Sequence, residues 1–180
     1  LLRRRSVPRG IDLTTNDVLG LARDAWIAER VAEAVLRSGV GAGAARLLGG
    51  NLPLHEECEG NVARFSGRED ALLFPSGYMA NAAALGGLVG PADLVLSDRD
   101  NHASLIDGIR LSRAPCRVLD FDDLPGLAEA LTERGSAGRT LLVCESVVST
   151  SGRQPALRAL ADLAERHAAL LLVDEAHATG

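Results

Sequence analysis

The chain has 180 residues, is 47% hydrophobic, and sets 24 acidic residues against 19 basic ones for a net charge of −5. This composition can fill a core and excludes a disordered chain; with no basic run beyond Arg3-Arg4-Arg5, it also argues against nucleic acid as a partner. No apolar run approaches membrane-spanning length and Leu1-Leu2-Arg3 lacks the apolar core of a signal peptide, while Cys58, Cys116 and Cys144 are widely spaced in apolar surroundings, so the expectation is a cytoplasmic protein with reduced core thiols and no membrane partner.

Ile27, Val31 and Val35 recur every four residues in Asp24–Arg37, and Leu54, Cys58 and Val62 do so in Pro53–Phe65, which predicts two amphipathic helices. A glycine-rich loop, Gly39–Gly50, lies between them. After Arg68 the rhythm changes. Short apolar runs predict strands at Ala71–Phe74, Asp93–Leu96, Cys116–Leu119, Thr140–Cys144 and Leu170–Val173. Helices are predicted between them at Gly77–Val89, Ala103–Ser112, Leu124–Arg134 and Leu157–His167. Strand alternating with helix predicts an α/β fold with a mostly parallel sheet. The last apolar run reads as a strand buried on both faces. Because the chain opens on Leu and stops just past that strand, a fragment is expected.

In parallel sheets ligands bind beyond the carboxyl ends of the strands, so the residues following each predicted strand are the candidates. Ser76 after the first can cap a helix whose opening amides at Gly77 and Tyr78 form an anion site, although by itself such a motif is more often an ordinary capped helix. His102 follows the second strand, at a turn where an imidazole is as often a cap as a functional group. Glu145 and Ser149 follow the fourth, and Ser149 equally suits a turn before Gly152. Asp174 and His177 follow the fifth. Asp174 stands at the end of an apolar run and needs a cationic or hydrogen-bonding partner. The chain contains no lysine, so that partner is expected to lie outside the protein, a protonated heterocycle being one that serves. An anion cradle, a flat imidazole, a buried acid and a second imidazole or hydroxyl around one crevice match the needs of pyridoxal 5′-phosphate (PLP).

The runs Thr15–Leu21, Leu73–Asn81, Asn101–Gly108 and Val173–Gly180 resemble, in order and spacing, the α-oxoamine synthases, fold-type I PLP enzymes that join an amino acid to an acyl-CoA with loss of CO2. The resemblance implies the three-layer large domain of that fold in part, with residues 1–50 as an N-terminal arm, helix and glycine-rich loop, and 51–180 as the first half of the PLP-binding domain. It implies that His102 stacks on the cofactor, Asp174 pairs with its pyridinium nitrogen, His177 and Ser149 reach its phenolic oxygen, Gly77 and Tyr78 hold its phosphate, and Glu145 lies close behind. Asn16 and Arg3 would meet the amino-acid substrate. A homodimer is implied as well.

Three departures qualify the match. The segment between Arg5 and Asp12 is short for the family; Thr150-Ser151-Gly152 replaces the usual Met-Asp-Gly; and the lysine that would bond the cofactor is absent, so this polypeptide alone is expected not to turn over. Among rival readings, Gly39-x-Gly41-x-Gly43 follows a helix rather than a strand, unlike a dinucleotide fingerprint. His55 and Cys58 lack a second pair for a metal site, and no metal is expected. A non-catalytic subunit of the same fold, or an aminotransferase or lyase sharing it, remains the alternative.

Overall fold

The computed structural model describes residues 10, 15–135 and 138–179. The chain divides into two compact units, Leu1–Ala71 and Leu72–Gly180. Among the described residues no helix is long and apolar enough to cross a membrane.

In the first unit the two predicted helices form, α1 over Ala25–Ser38 and α2 over Pro53–Ser66. Asp24 caps α1 by accepting the Ile27 N–H at 3.0 Å, which satisfies one of the amides a helix start leaves unpaired. In α2 the His55 ring turns back to accept the Leu52 N–H through Nδ1 at 3.0 Å. The glycine-rich loop is tied to α2 by Arg46, whose guanidinium grips both Glu59 oxygens and donates from Nε to Asn51 Oδ1 at 2.8 Å. The apolar stripe of α1 is not a core stripe within this unit, since the helix has no buried residue.

The second unit carries the sheet. Its strands are β1 (Leu94–Asp98), β2 (Cys116–Leu119), β3 (Thr140–Glu145) and β4 (Leu170–Asp174), in the order β2-β1-β3-β4 and parallel throughout. Its helices are α3 (Gly77–Leu88), α4 (Ala103–Ser112), α5 (Leu124–Glu133) and α6 (Leu157–Arg166). The predicted strand at 71–74 is not one: those residues join no regular element, and Leu72 is 67% exposed. A short apolar run has no period long enough to tell a strand from an extended lead-in, and Pro75, which has no N–H to give a ladder, follows it directly.

Alternation along the strands sorts the core into two faces. Leu96, Leu142 and Cys144 pack with Leu127, Leu131, Leu160 and Leu163 of α5 and α6. Val95, Leu141 and Val143 pack with Leu85 of α3 and with Leu105 and Ile109 of α4. The result is three layers. The chain moves from β1 to β2 through α4 on one face, and from β2 across β1 to β3 through α5 on the other. Connections with one preferred hand reverse faces when the winding reverses, so β1 and β3 flank a switch point where such sheets open a crevice.

Two expectations are corrected here. Of the apolar runs, β3 is the one buried throughout; β4 is the edge strand of this sheet and only half-buried, with Leu170 43% exposed. Cys144 is a core thiol and Cys58 is half-buried, but Cys116 stands exposed on the other edge strand, β2. Burial of Cys144, in the field of Asp98, pushes its thiol up to about 12.

One close approach fixes the α3/α4 layer. A Cβ at Gly108 would stand 2.7 Å from Leu85 Cδ1 and 3.0 Å from the Asn81 carbonyl oxygen, so glycine is what lets these two helices come together.

Candidate active site at the carboxyl edge of the sheet

The residues after β1, β3 and β4 meet the start of α3 around a cavity of about 390 Å3, within the size range of small-molecule sites. It is lined by Gly77, Tyr78 and Asn81 of α3, by His102 and Ser104 at the start of α4, by Glu145, and by Asp174 and His177 beyond β4. Six of the residues singled out from sequence therefore share one cavity: Gly77, Tyr78, His102, Glu145, Asp174 and His177.

The β3/β4 register pairs Glu145 with Asp174. Both sit an even number of positions from strand residues that face α3 and α4, so both carboxylates leave the sheet on that side. Asp174 accepts from Asn81 Nδ2 at 2.7 Å through Oδ2 and from the Ala176 N–H at 2.9 Å through Oδ1, while its carbonyl takes the N–H and hydroxyl of Ser146. This corrects the expectation that its partners lie outside the chain. The partners are neutral, however, and among the described residues Asp174 makes no ion pair.

Glu145 is more deeply set, at 3% exposure. Its Oε2 accepts the Ser149 N–H at 3.0 Å, while its Oε1 is buried with no hydrogen-bond partner. A buried carboxylate oxygen without a donor is costly unless a ligand or a water supplies one. Ser149 itself is exposed and holds Glu145 through its backbone; its side chain is not part of the cavity lining.

His102 caps α4. Its Nδ1 accepts the Ser104 N–H at 3.2 Å and lies 2.7 Å from Ser104 Oγ. A backbone N–H can only donate, so Nδ1 presents its lone pair and the ring hydrogen belongs on Nε2. At the opposite wall, Ser76 caps α3 by accepting the Met79 N–H at 3.2 Å. That leaves the amides of Gly77 and Tyr78, ahead of the first intrahelical donor, at the positive end of the helix. A Cβ at Gly77 would meet no atom within 4 Å, so the space before these amides is open to an anion. The Tyr78 phenol donates to Asp107 Oδ2 at 2.8 Å, which pushes its ionisation up.

These groups fit PLP on the chemistry of the donors: open amides for a phosphate, an exposed imidazole on the ring side, an anionic oxygen without a cation at Asp174, and a partnerless buried oxygen at Glu145. Asn16 lies exposed in the first unit, and Arg3 lies outside the described residues.

Sequence reasoning passed over Asn81 and Arg153. Asn81 is the one amide in the otherwise apolar helix Gly77–Leu88, and that isolation was the available signal. Arg153 binds three acids, Asp98 at the end of β1 at 2.6 Å, Asp100 in the turn after it at 3.1 Å and Asp122 after β2 at 3.1 Å. Its partners follow different strands, so nothing in local sequence announces them; Asp98 foremost holds its guanidinium charged more firmly than usual.

The aminotransferase class I and II family model matches residues 8–180. The 8-amino-7-oxononanoate synthase of Anaeromyxobacter sp. (strain K) is 48% identical over 173 residues, covering 94% of this chain and 42% of that protein. Among solved structures, a serine palmitoyltransferase from S. paucimobilis with a bound PLP–myriocin aldimine superposes with a TM-score of 0.83 at 30% identity, covering 87% of this chain and 39% of that one. The 8-amino-7-oxononanoate synthase of Francisella tularensis gives 0.75 at 30% identity, over 92% and 44%. The chain thus spans less than half the length of each of these relatives. Its three layers are those of part of the fold-type I large domain, the resemblance to the α-oxoamine synthases is borne out, and the chain belongs to the aminotransferase class I and II family.

Proposed function

We propose that the chain supplies the cofactor face of a PLP-dependent acyltransferase that condenses an amino acid with an acyl thioester and releases CO2, with L-alanine and a pimeloyl thioester as substrates and 8-amino-7-oxononanoate as product. The observation that carries this reading is the convergence of His102, Glu145, Asp174, His177 and the open α3 amides on one cavity. The 48% identity to an 8-amino-7-oxononanoate synthase favours that member of the family. The higher TM-score with serine palmitoyltransferase keeps a second reading, the same reaction on a different amino acid and acyl chain, as in serine palmitoyltransferase, glycine C-acetyltransferase or 5-aminolevulinate synthase.

When bound, PLP supplies an electron sink for the charge that develops on the amino acid's α-carbon. Asp174 holds a proton on the pyridine nitrogen by presenting a fixed anionic oxygen to it. Gly77 and Tyr78 grip the phosphate through their amides. With PLP bound, the His102 imidazole would face its ring and His177 its phenolic oxygen, while the Ser149 hydroxyl expected beside them lies outside the cavity lining. Glu145 accepts a hydrogen bond through its otherwise partnerless Oε1. Asn16 would lie near the amino-acid carboxylate and Arg3 would take part in substrate binding, as the family resemblance implies. In this reading residues 51–180 are the first half of the PLP-binding domain, 1–50 are the N-terminal arm, and the assembly is a cytoplasmic homodimer. The chain holds no lysine, so the amine that bonds the cofactor and takes the α-proton comes from residues outside it, and the 180-residue chain by itself does not turn over.

The test is CO2 release by the full-length protein with each amino acid and acyl-CoA pair. PLP-dependent release that is fastest with L-alanine and pimeloyl-CoA is expected. Release that is fastest with another pair selects the second reading, and none with any pair, in a protein that folds, contradicts both in favour of a non-catalytic subunit.

A further inference from the structure

Asp174 and His102 are 72 positions apart in sequence and come from different strand ends, yet two side chains between them form one directed chain of hydrogen bonds. Both hydrogens of the Asn81 amide are used: Nδ2 donates to Asp174 Oδ2 at 2.7 Å and to Ser104 Oγ at 2.9 Å. Ser104 is 1% exposed. Because its oxygen already accepts from Asn81, its own hydrogen is free to point at His102 Nδ1, 2.7 Å away. The backbone N–H of Ser104 donates to that same nitrogen. Every donor in the chain points outward from Asn81, toward the carboxylate at one end and the imidazole at the other.

We propose that Asn81 is a positioning residue that sets the Asp174 carboxylate and the His102 ring as one unit toward the bound ligand. The proposal rests on the PLP reading for the identity of that ligand; the relay itself does not. Two features make the unit stiff. The Ala176 N–H holds the second Asp174 oxygen, so with Asn81 in place both oxygens are fixed and the carboxylate cannot turn. Asn81 itself is held in register because Gly108 lets α4 close on the α3 backbone at its carbonyl. Removing the amide frees the carboxylate to rotate and leaves Ser104 Oγ without its donor, so the hydroxyl is no longer committed to His102.

The experiment uses the full-length protein and two variants: Asn81→Leu, which keeps the volume but removes the amide, and Asn81→Ser, a milder change too short to reach both partners. Two spectroscopic readouts apply. Nitrogen NMR of 15N-histidine-labelled protein without cofactor reports the hydrogen bonding at His102 Nδ1. Nitrogen NMR of bound 15N-PLP, with its dissociation constant, reports the pyridine nitrogen opposite Asp174. The expected result is that both Asn81 variants shift the His102 Nδ1 signal, because the Ser104 hydroxyl no longer donates to it while the Ser104 N–H keeps the ring hydrogen on Nε2, weaken PLP about tenfold as loss of one charge-assisted hydrogen bond implies, and move the pyridine signal toward its unprotonated value. An unchanged His102 Nδ1 signal in either Asn81 variant overturns the relay. A changed His102 Nδ1 signal with unchanged pyridine signal and affinity overturns the coupling to Asp174. Failure of the wild-type protein to bind PLP defeats the functional reading, and the cofactor-free His102 spectra still decide the relay.

Discussion

Glu145 and Asp174 are direct neighbours across the β3/β4 ladder and project to the same face of the sheet, yet their surroundings differ. Asp174 has both oxygens engaged by neutral donors, while Glu145 lies deeper and keeps one oxygen without a partner. Two acids side by side on one wall make that wall attractive to the proton-bearing side of a ligand. The start of α3, with its open amides, attracts anions. A molecule with a phosphate at one end and a protonated heterocycle at the other matches this polarity.

Replacing Asp174 by Asn keeps the shape of the side chain but removes the charge, and its single acceptor oxygen keeps one of the two hydrogen bonds from Asn81 and the Ala176 N–H. Asp174→Asn is expected to melt within a few degrees of wild type, since the group is half-buried at an edge strand. Its turnover in the full-length protein is expected to fall about 100-fold or more, as for loss of a preorganised electrostatic group. Thermal melting and CO2 release measure the two; near-normal turnover would remove Asp174 from the reaction.

Gly108→Ala inserts a methyl group 2.7 Å from Leu85 Cδ1 and 3.1 Å from the Ala82 Cα. Overpacking of this kind costs about 1–3 kcal/mol, read as a lower denaturation midpoint. Because the displaced backbone includes Asn81, weaker PLP binding should accompany the loss of stability.

The architecture was legible because alternation of short apolar runs with amphipathic stretches survives without tertiary information. Ala103–Ser112 and Cys116–Leu119 match the observed α4 and β2 at both ends. What was not legible depends on neighbours. Residues 71–74 resemble β4 in composition, but one has a ladder partner in β3 and the other joins no regular element. The candidate residues after each strand converge because position at a strand end is written in the sequence; the bonds of Asn81 and Arg153 are long-range and are not.

Arg153→Met leaves the Asp98 carboxylate, 2% exposed and already with one oxygen unpartnered, without its cation. Breaking one side of a buried pair costs roughly 3–5 kcal/mol. The same change frees the loops carrying Asp100 and Asp122 from the turn after β3, so denaturant unfolding should show a large loss. A loss under about 1 kcal/mol would mean that Asp98 finds another partner.

Cys144 carries a thiol pushed up to about 12 by burial. The folded state keeps a proton that the unfolded state releases above its ordinary value of 9.0, so this group lowers stability as pH rises from about 9 toward about 12. Alkylation at mildly alkaline pH followed by mass spectrometry should modify exposed Cys116 and leave Cys144 unmodified until denaturant is added. Early labelling of Cys144 would contradict its burial.

A crystal structure of the full-length protein with PLP decides whether the cavity at the carboxyl edge of the sheet holds the cofactor. Phosphate is expected at the amides of Gly77 and Tyr78, the ring against His102, and the pyridine nitrogen within hydrogen-bond distance of an Asp174 oxygen. Cofactor bound elsewhere, or bound there with its nitrogen turned away from Asp174, would contradict that placement.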